Sequence, residues 1–572
     1  MIGYRKSHHK DWFDDQDGSA SHLLDEMHDT HLSWINDKSN ASKRAAYTSA
    51  RSAAQRSLRQ MKEQWWLNKA VELQQAADRR DMKAFYGGLR AVYGTRDSGS
   101  IPVRSLNGTT LITDRAGILN RWAEHFQRVL NQESKFDQSV LDEIPQWDTA
   151  DALMDPIEPA EVQQAINQMS AGKSPGEDGL PPELFKTGGV HLQQKLLTIF
   201  KDIWHQHAVP QDFQNAVIVH IFKKKGDRSV CDDYRGISLL SIPGKILGRI
   251  ILNRLTRYVE ELGILPESQC GFRSGRGTAD MTFTFRQLQE KCKEHQQDLY
   301  AVFIDLSKAF DSVHRPGLWA ILSKIGCPAA LVDIIRSFHD GMRASVIENG
   351  ERSPEFDVSN GTKQGCGLAP LLFCIFFSMM LLVAFQNTSK GIPLHYRTDG
   401  DLFNTRRFQA PTKVHTAIIR DLLFADDCAL VAHTLPDIQE LFDRFADAAR
   451  RFGLTVSLKK TEVMLQSYPT NQSATATVMA GDTILTSASK FCYLGSYLSN
   501  TVAMDDDITA RIAKGCTAFG GLQHRLWREH GVSLKTKVEV YRAVVLTTLL
   551  FGSECWTLYR RHIKQLEQFH MH

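Results

Sequence analysis

Two adjacent carboxylates, Asp426 and Asp427, lie between short apolar runs in the segment 423–431. Apolar runs on either side of a tight polar dipeptide predict a β-hairpin with the two acids at its tip. Two like charges this close repel each other unless cations lie between them. The pattern therefore predicts a site for divalent metal ions. Three other acidic runs stand in polar surroundings and predict solvated loops: 14–15, 232–233 and 505–507.

A third carboxylate, Asp305, directly follows the apolar run 300–304, which predicts a strand that ends at this residue. Carboxylates from separate segments are what a two-metal phosphoryl-transfer site needs. Its metals lie about 3.5–4 Å apart and contact both the attacking and the leaving oxygen. For one aspartate alone, a cap or a turn is an equally good interpretation. The three acids together favour the metal site.

Further motifs stand in a fixed order around these acids. They include Gln-Cys-Gly-Phe-Arg at 269–273, Phe-Ala-Asp-Asp at 424–427 and Tyr-Leu-Gly at 493–495. The full series consists of residues 171–179, 221–227, 233–240, 269–273, 303–313, 361–373, 424–427, 453–461 and 493–495. This series covers most of the chain and resembles the reverse transcriptases of non-LTR (LINE-type) retrotransposons. The resemblance implies a nucleotidyltransferase, specifically an RNA-directed DNA polymerase.

The resemblance also implies roles for the acids. Asp305, Asp426 and Asp427 are expected to bind two Mg²⁺ ions, with Mn²⁺ as an alternative, which activate a primer 3′-hydroxyl against the α-phosphate of a nucleotide. Lys460 is expected to protonate the leaving pyrophosphate. Because Lys459 stands beside it, the register of this role is open by one residue.

The nucleotide pocket is expected to use three further residues. Phe310 matches the bulky residue that crowds the sugar 2′ position and so favours deoxynucleotides, although a core aromatic is the alternative interpretation. Gln364 and Gly365 match the motif that packs beside the incoming nucleotide. There glycine permits close backbone approach and the amide exchanges hydrogen bonds. A polar turn before the apolar helix near Pro370 is the alternative interpretation.

Basic residues are expected to contact the triphosphate. Arg235 resembles the arginine that grips it, because a planar guanidinium binds phosphate in a bidentate manner. Lys224, in the run 223–225, is expected to line the same entrance, with a solvated surface run as the alternative. Tyr493, Leu494 and Gly495 match the primer grip. The implied partners are an RNA template, a DNA primer and deoxynucleoside triphosphates, with no membrane and an open oligomeric state.

The fold class implied by the resemblance is α+β, a right-hand polymerase with fingers, an antiparallel palm sheet and a thumb. We expect a basic helical region at 1–98, an extension at 99–154, fingers and palm at 155–500 and part of a thumb at 501–572. Within the extension, Asn107-Gly108 predicts a hairpin turn, and a helix follows from Ile118 to Leu130. The segment 94–100 predicts a linker.

Basic residues outnumber acidic ones from Lys43 to Arg96, where aromatic residues such as Trp65, Trp66 and Phe85 are interleaved. A basic helix with aromatics can follow a phosphate backbone and stack on bases. An amphipathic helix that packs its aromatics into a core is the favoured alternative.

Composition is that of an ordinary globular protein of several domains, with 572 residues, 42% hydrophobic and 23% charged. The net charge of +3 is too mild to argue for nucleic-acid binding. Ten scattered cysteines without zinc spacing predict reduced thiols inside the cell, in the nucleus or the cytoplasm. The first thirty residues lack a secretory signal. The apolar segment 368–385 predicts a buried core helix, not a membrane span.

Three positions depart from the family pattern. Phe424 replaces a common tyrosine, Gly236 stands where proline is common, and Gly367 stands where proline or another apolar residue is common. Two competing hypotheses therefore remain: a catalytically inactive nucleic-acid-binding remnant, and a polymerase that makes RNA. The second normally needs a smaller or polar group at Phe310. The chain has no room for the endonuclease of complete elements, so we expect it to be a fragment of a longer polyprotein.

Overall fold

The computed structural model describes residues 17–79, 81–93, 101–396, 415–468 and 476–571. The chain forms two compact units. We call Gly99–Gly495 with Ser499–Val502 the central unit, and Met1–Ser98, Ser496–Leu498 and Ala503–His572 the terminal unit. The predicted linker at 94–100 lies outside the described residues. The protein is of mixed α and β structure, as the sequence predicts.

The strands are short and number eighteen in the described ranges. Their bounds are β1 Val103–Arg104, β2 Leu111–Ile112, β3 Ala216–Phe222, β4 Tyr234–Leu239, β5 Leu299–Ile304, β6 Arg343–Glu348, β7 Glu351–Arg352, β8 Phe356–Asp357, β9 Ile392–Tyr396, β10 His415–Ile419, β11 Asp421–Phe424, β12 Asp427–Ala432, β13 Glu462–Gln466, β14 Met479–Ala480, β15 Thr483–Ile484, β16 Thr486–Ser487, β17 Lys490–Tyr493 and β18 Ser496–Ser499.

Helices make up most of the rest of both units. The α-helices of the central unit are Arg115–Leu130, Val140–Glu143, Pro159–Gln168, Pro182–Thr187, Gly189–Gln206, Gln211–Gln214, Ile242–Glu261, Thr278–Glu294, Arg315–Lys324, Ala329–Ser337, Ala369–Phe385 and Leu435–Arg451. Those of the terminal unit are Asp17–Ile35, Ala41–Asp78, Met82–Tyr93, Asp505–Gly521, Leu534–Val540, Thr547–Leu549 and Arg560–Met571.

One five-stranded sheet of the central unit has the order β11-β12-β5-β13-β16. Its first four strands pair antiparallel, and β16 joins β13 in parallel. Strand β5 lies in the middle of the sheet, and its residues Ala301 to Ile304 are all buried. A strand covered on both faces needs a continuous apolar run rather than an alternating pattern. The sequence of β5 meets this requirement.

A second sheet of the central unit has the order β4-β3-β6-β7, with β8 paired to β6. The predicted turn at Asn107-Gly108 is confirmed, because β1 and β2 pair antiparallel around it and Gly108 has a φ of +74°. The helix Arg115–Leu130 follows. Asp114 caps this helix, since its carboxylate accepts a hydrogen bond from the Gly117 N–H at 2.6 Å.

The helix Ala369–Phe385 forms the centre of the core, as the sequence predicts. Fifteen of its residues are buried. Phe376 and Phe377 contact Phe452 and Phe445, which belong to the amphipathic helix Leu435–Arg451 and its C-terminal cap. Fully burying one such ring stabilises the fold by roughly 1.5–3 kcal/mol. Among the helices that the structure describes, none is long and apolar enough to span a membrane.

The terminal unit has its own apolar core. Trp65 and Trp66 of the helix Ala41–Asp78 are buried together with Phe85, and Val540 and Val544 belong to the same cluster. The core-packing interpretation therefore applies to these aromatic residues. The helix predicted from Asp505 onward is confirmed. The acids 505–507, predicted to lie in a solvated loop, instead form the first turn of this helix.

Candidate active site

The predicted acidic hairpin is confirmed. Strands β11 and β12 pair antiparallel with Phe424 opposite Asp427, so Ala425 and Asp426 form a two-residue turn. Ala425 has a φ of +60°, as the first position of such a tight turn requires. This left-handed conformation is unfavourable for a residue with a Cβ atom, by about 1–2 kcal/mol. Neighbouring groups must therefore hold the turn in place.

Asp305 reaches the same end of the sheet. Strand β5 pairs with β12 through Ile304 and Cys428, so the residue after β5 lies beside the acids of the hairpin. The Asp305 N–H donates to Thr461 Oγ1 at 3.3 Å, and its carbonyl oxygen accepts from the Ser457 N–H at 2.8 Å. The sequence thus predicted correctly that the three acids come together from two separate segments.

The charges of the three acids act on one another. Partial burial, the Asp426 charge and the Asp305 charge together raise the pKa of Asp427 to about 6. Burial also raises the pKa of Asp426, and the charge of Asp305 adds to this effect. A bound cation relieves such repulsion, and carboxylate oxygens are the donors that hard divalent cations prefer. This donor set therefore fits Mg²⁺.

The three acids do not form a preassembled cation site. Across the ranges that the structure describes, no group of three or more acidic, imidazole or thiol side chains is arranged to hold a metal ion as it stands. Lys460 Nζ lies 3.1 Å from Asp305 Oδ2 and forms an ion pair with it. Lys460, rather than its neighbour Lys459, is thus the lysine that the structure places beside the acids.

A further cation, Arg235, lies near the hairpin acids. The positive charge of Arg235, on β4, offsets part of the rise in the pKa of Asp426 and of Asp427. Burial lowers the pKa of Lys223, and the charges of Lys460 and Arg235 lower it further. Arg235, Lys223 and Lys460 are therefore close enough to one another for their positive charges to interact.

Lys224, the lysine predicted from sequence to contact the nucleotide, occupies a different position from Lys223. Both lysines are exposed, but the φ of +59° at Lys224 places this residue in the turn after β3. Lys223 instead extends the pairing of β3 with β4, because its N–H donates to the Asp233 carbonyl oxygen at 2.8 Å. The charges of Arg235 and Lys460 act on Lys223, and the role of Lys224 at the nucleotide stays a prediction.

Phe310 is partly buried and stacks on Phe373 of the core helix, with ring centroids 4.3 Å apart. Its carbonyl oxygen accepts from the Thr362 N–H at 2.8 Å. The ring of Phe310 thus packs against the core through Phe373, and part of its surface remains exposed to solvent. Both interpretations of Phe310, as a core aromatic and as a sugar gate, are compatible with this placement.

Gln364 is held by a residue to which sequence reasoning gave no role. Its Nε2 donates to both carboxylate oxygens of Asp311, at 3.0 and 3.1 Å. Burial raises the pKa of Asp311 to about 6. Gly365 has a φ of +119°, and a Cβ atom there would lie 2.3 Å from the Ser238 carbonyl oxygen. The lack of a side chain at Gly365 therefore allows a close approach to the backbone of Ser238.

Gln269 is a second residue that sequence reasoning missed. Its side chain is fully buried, and its Oε1 accepts from the N–H groups of Ala425 and Gly271 at 2.9 and 2.8 Å. Its Nε2 donates to the Ala425 carbonyl oxygen at 3.2 Å. One amide thus satisfies both backbone groups of the residue before Asp426. The only sequence signal was a polar residue within the motif 269–273.

The residues of the predicted primer grip lie beside the hairpin. Tyr493 is buried, and its hydroxyl donates to the Leu422 carbonyl oxygen at 3.1 Å. Leu494 and Gly495 have φ values of +49° and +89° and form the turn that follows β17. The hydroxyl of Tyr493 therefore supports strand β11.

The sequence of this chain is similar to those of several known proteins. Residues 222–498 match the family described as reverse transcriptase (RNA-dependent DNA polymerase). The chain is 26% identical over 435 residues to a probable RNA-directed DNA polymerase from transposon BS of Drosophila melanogaster, which covers 76% of this chain and 45% of that protein. It is 25% identical over 419 residues to the RNA-directed DNA polymerase from mobile element jockey of Drosophila funebris, with 72% and 43% covered.

A third relative is a probable RNA-directed DNA polymerase from transposon X-element of Drosophila melanogaster. It is 25% identical over 480 residues, which is 82% of this chain and 49% of that protein. The chain thus spans about half the length of these curated relatives or slightly less.

Proposed function

We propose that this chain, whose residues 222–498 are a reverse transcriptase domain of the non-LTR retrotransposon type, is an RNA-directed DNA polymerase. It extends a DNA primer along an RNA template with deoxynucleoside triphosphates. The observation that carries the proposal is the meeting of Asp305, Asp426 and Asp427 at one end of a sheet, with Arg235 and Lys460 around them.

The acids are proposed to bind two Mg²⁺ ions. When bound, these cations activate the primer 3′-hydroxyl and neutralise charge on the α-phosphate and on the leaving pyrophosphate. Asp305, Asp426 and Asp427 would supply the oxygen ligands. Lys460, which forms an ion pair with Asp305, is proposed to donate a proton to the leaving pyrophosphate.

The remaining residues bind and orient the nucleotide. Arg235 is proposed to grip the triphosphate, with Lys223 beside it and Lys224 at the outer edge of the same turn. Phe310 is proposed to exclude a 2′-hydroxyl, and the backbone at Gly365 and the amide of Gln364 to face the base and sugar. Catalysis is then mainly positioning and charge neutralisation, as expected for phosphoryl transfer.

The right-hand architecture is part of the proposal. Residues 155–500 are assigned to fingers and palm, with the five-stranded sheet as the palm. Residues 501–572 are assigned to part of a thumb. The segment 493–495 is assigned to a primer grip, although the buried hydroxyl of Tyr493 makes its first role the support of β11. Residues 1–98 and 99–154 are assigned to a helical N-terminal region and an extension.

The experiment measures incorporation of dTTP on poly(rA)/oligo(dT) with and without Mg²⁺, and of UTP in its place. We expect Mg²⁺-dependent incorporation of dTTP and strong discrimination against UTP. Binding of the duplex is measured in parallel. Duplex binding without any incorporation would refute the polymerase and support the inactive remnant. Efficient use of UTP would instead support an RNA-making polymerase.

A further inference from the structure

Phe272 is an exposed aromatic residue in a costly backbone conformation. Its side chain is 59% exposed, and its φ is +61°. The left-handed region costs a residue with a Cβ atom about 1–2 kcal/mol, and leaving a phenyl ring in water forgoes the gain of burial. Nothing in local folding rewards this combination. Such a conformation persists only where the surroundings impose it, and it often marks a site of function.

The surroundings do impose it, because the residues on both sides of Phe272 are anchored. On one side, Gln269 bonds to the Ala425 backbone and to the Gly271 N–H. On the other side, Arg273 donates to both carboxylate oxygens of Glu260, at 2.9 and 2.6 Å. The Arg273 guanidinium also donates to the carbonyl oxygens of Pro266 and Gln269. These hydrogen bonds fix the backbone on both sides of Phe272, and its phenyl ring remains exposed to solvent.

The ring stands at the proposed nucleotide pocket. Its centroid lies 6.4 Å from that of Phe310, and the two ring planes are nearly perpendicular, at 88°. The neighbouring Gly271 packs so closely on the hairpin that a Cβ atom there would lie 2.2 Å from the Ala425 nitrogen. Phe272 therefore follows a residue that packs on Ala425, and its ring contacts that of Phe310, the proposed sugar gate. The two rings form an apolar surface, and the ring of Phe272 is exposed to solvent.

We infer that Phe272 contacts the incoming deoxynucleoside triphosphate and forms, with Phe310, the apolar wall against its sugar and base. This inference rests on the proposed function and adds to it a residue that determines nucleotide affinity. A flat aromatic face binds the face of a base or a deoxyribose without sequence preference, and removal of such a ring costs on the order of tenfold or more in affinity.

The test compares Phe272→Ala and Phe272→Gly with the wild-type chain on poly(rA)/oligo(dT). Both variants are expected to raise the KM for dTTP on the order of tenfold, with kcat changed less than about threefold, while duplex affinity stays the same. Phe272→Gly is also expected to raise Tm, because glycine adopts a positive φ without strain. A merely structural ring would not combine higher stability with weaker nucleotide binding. Phe272→Tyr keeps the ring and is expected to restore the wild-type KM.

Phe283→Ala is the matched control, because Phe283 is similarly exposed, at 50%, on the helix Thr278–Glu294. It should leave the KM for dTTP unchanged. A second readout avoids chemistry: the apparent Kd of dTTP for the complex with a dideoxy-terminated oligo(dT) primer on poly(rA), in Mg²⁺. Phe272→Ala and Phe272→Gly should raise this Kd by the same factor as the KM.

The outcomes separate the inference from the proposed function. An active wild-type chain with unchanged KM and Kd in both variants overturns the inference alone. Weaker duplex binding at unchanged KM also overturns it, because the ring would then contact primer or template. A wild-type chain that binds dTTP without incorporation overturns the proposed polymerase activity, and the Kd of the variants still decides the inference. Absence of both incorporation and dTTP binding overturns both.

Discussion

Replacement of Gln269 by leucine should disable the acidic hairpin while leaving the fold largely intact. Leucine has a similar volume but no hydrogen-bonding groups, so three groups lose their partner: the Ala425 N–H, the Ala425 carbonyl oxygen and the Gly271 N–H. Each buried, unsatisfied group costs about 1–3 kcal/mol. Ala425 also retains the cost of its positive φ.

The hairpin can avoid these unsatisfied groups by changing its conformation, and the extent of that change determines the expected kcat. If the turn relaxes, it regains hydrogen bonds to water but moves Asp426 away from Asp305. A preference of about 3 kcal/mol for the relaxed turn corresponds to a roughly hundredfold lower population of the active geometry, since each 1.36 kcal/mol is a factor of ten. We therefore expect kcat for dTTP incorporation on poly(rA)/oligo(dT) to fall on the order of a hundredfold, with duplex affinity unchanged.

Gln289→Leu is the matched control. Gln289 is also fully buried in the central unit, and its Nε2 donates to the Ser499 carbonyl oxygen at 2.8 Å. This variant should lower Tm by a few degrees, comparably to Gln269→Leu, without the loss of kcat. Incorporation by Gln269→Leu within about threefold of wild type would show that the Gln269 amide does not hold the active hairpin. Equal loss of activity in both variants would show the same.

Three further predictions concern the same site. Asp311→Asn should raise the free energy of unfolding above pH 6. Burial raises the pKa of Asp311 from 3.8 to about 6, so the folded wild type binds a proton at Asp311 more tightly than the unfolded chain does. Its stability therefore rises as pH falls from 6 to 4. At 1.36 kcal/mol per pH unit, the advantage of the variant is at most about 3 kcal/mol at pH 7. Urea unfolding should show that advantage vanishing near pH 4; a pH-independent difference would contradict the assignment. Gly271→Ala should abolish incorporation, because its Cβ would lie 2.2 Å from the Ala425 nitrogen, whereas Gly248→Ala, with no atom within 4 Å, should be silent in the same assay. Phe310→Ala should lower the preference for dTTP over UTP at least tenfold, measured as the ratio of kcat/KM values; unchanged discrimination would leave Phe310 as a core aromatic.

The parts of the site that the sequence predicted are those encoded by local patterns. The apolar run 300–304 must be a strand because it is continuous and short, and Asp305 follows it directly. The hairpin at 426–427 is marked by apolar runs on both sides of two acids. The core helix Ala369–Phe385 is marked by its length and by the lack of charge. Each of these features is contained in fewer than twenty consecutive residues.

The parts that the sequence did not predict depend on residues far apart in the chain. Gln269 and Ala425 are separated by 156 positions, and nothing near Gln269 indicates its partner. Asp507 was expected in solvent, yet its carboxylate accepts from the Trp556 indole N–H at 2.9 Å and is fully buried. Lys223 still hydrogen-bonds to the Asp233 backbone whereas Lys224 lies in the turn, a difference of a single residue that the local sequence does not indicate.

We propose above all that the acids of the hairpin carry out nucleotidyl transfer. The most direct test is Mg²⁺-dependent incorporation of dTTP on poly(rA)/oligo(dT) by the wild-type chain and by Asp426→Asn, with Asp443→Asn as a control. Asp443 is an exposed acid of the helix Leu435–Arg451. We expect Asp426→Asn to bind the duplex as the wild type does and to lose incorporation at least a thousandfold, while Asp443→Asn keeps it. Incorporation by Asp426→Asn at the wild-type rate would show that the hairpin acids do not carry out the transfer.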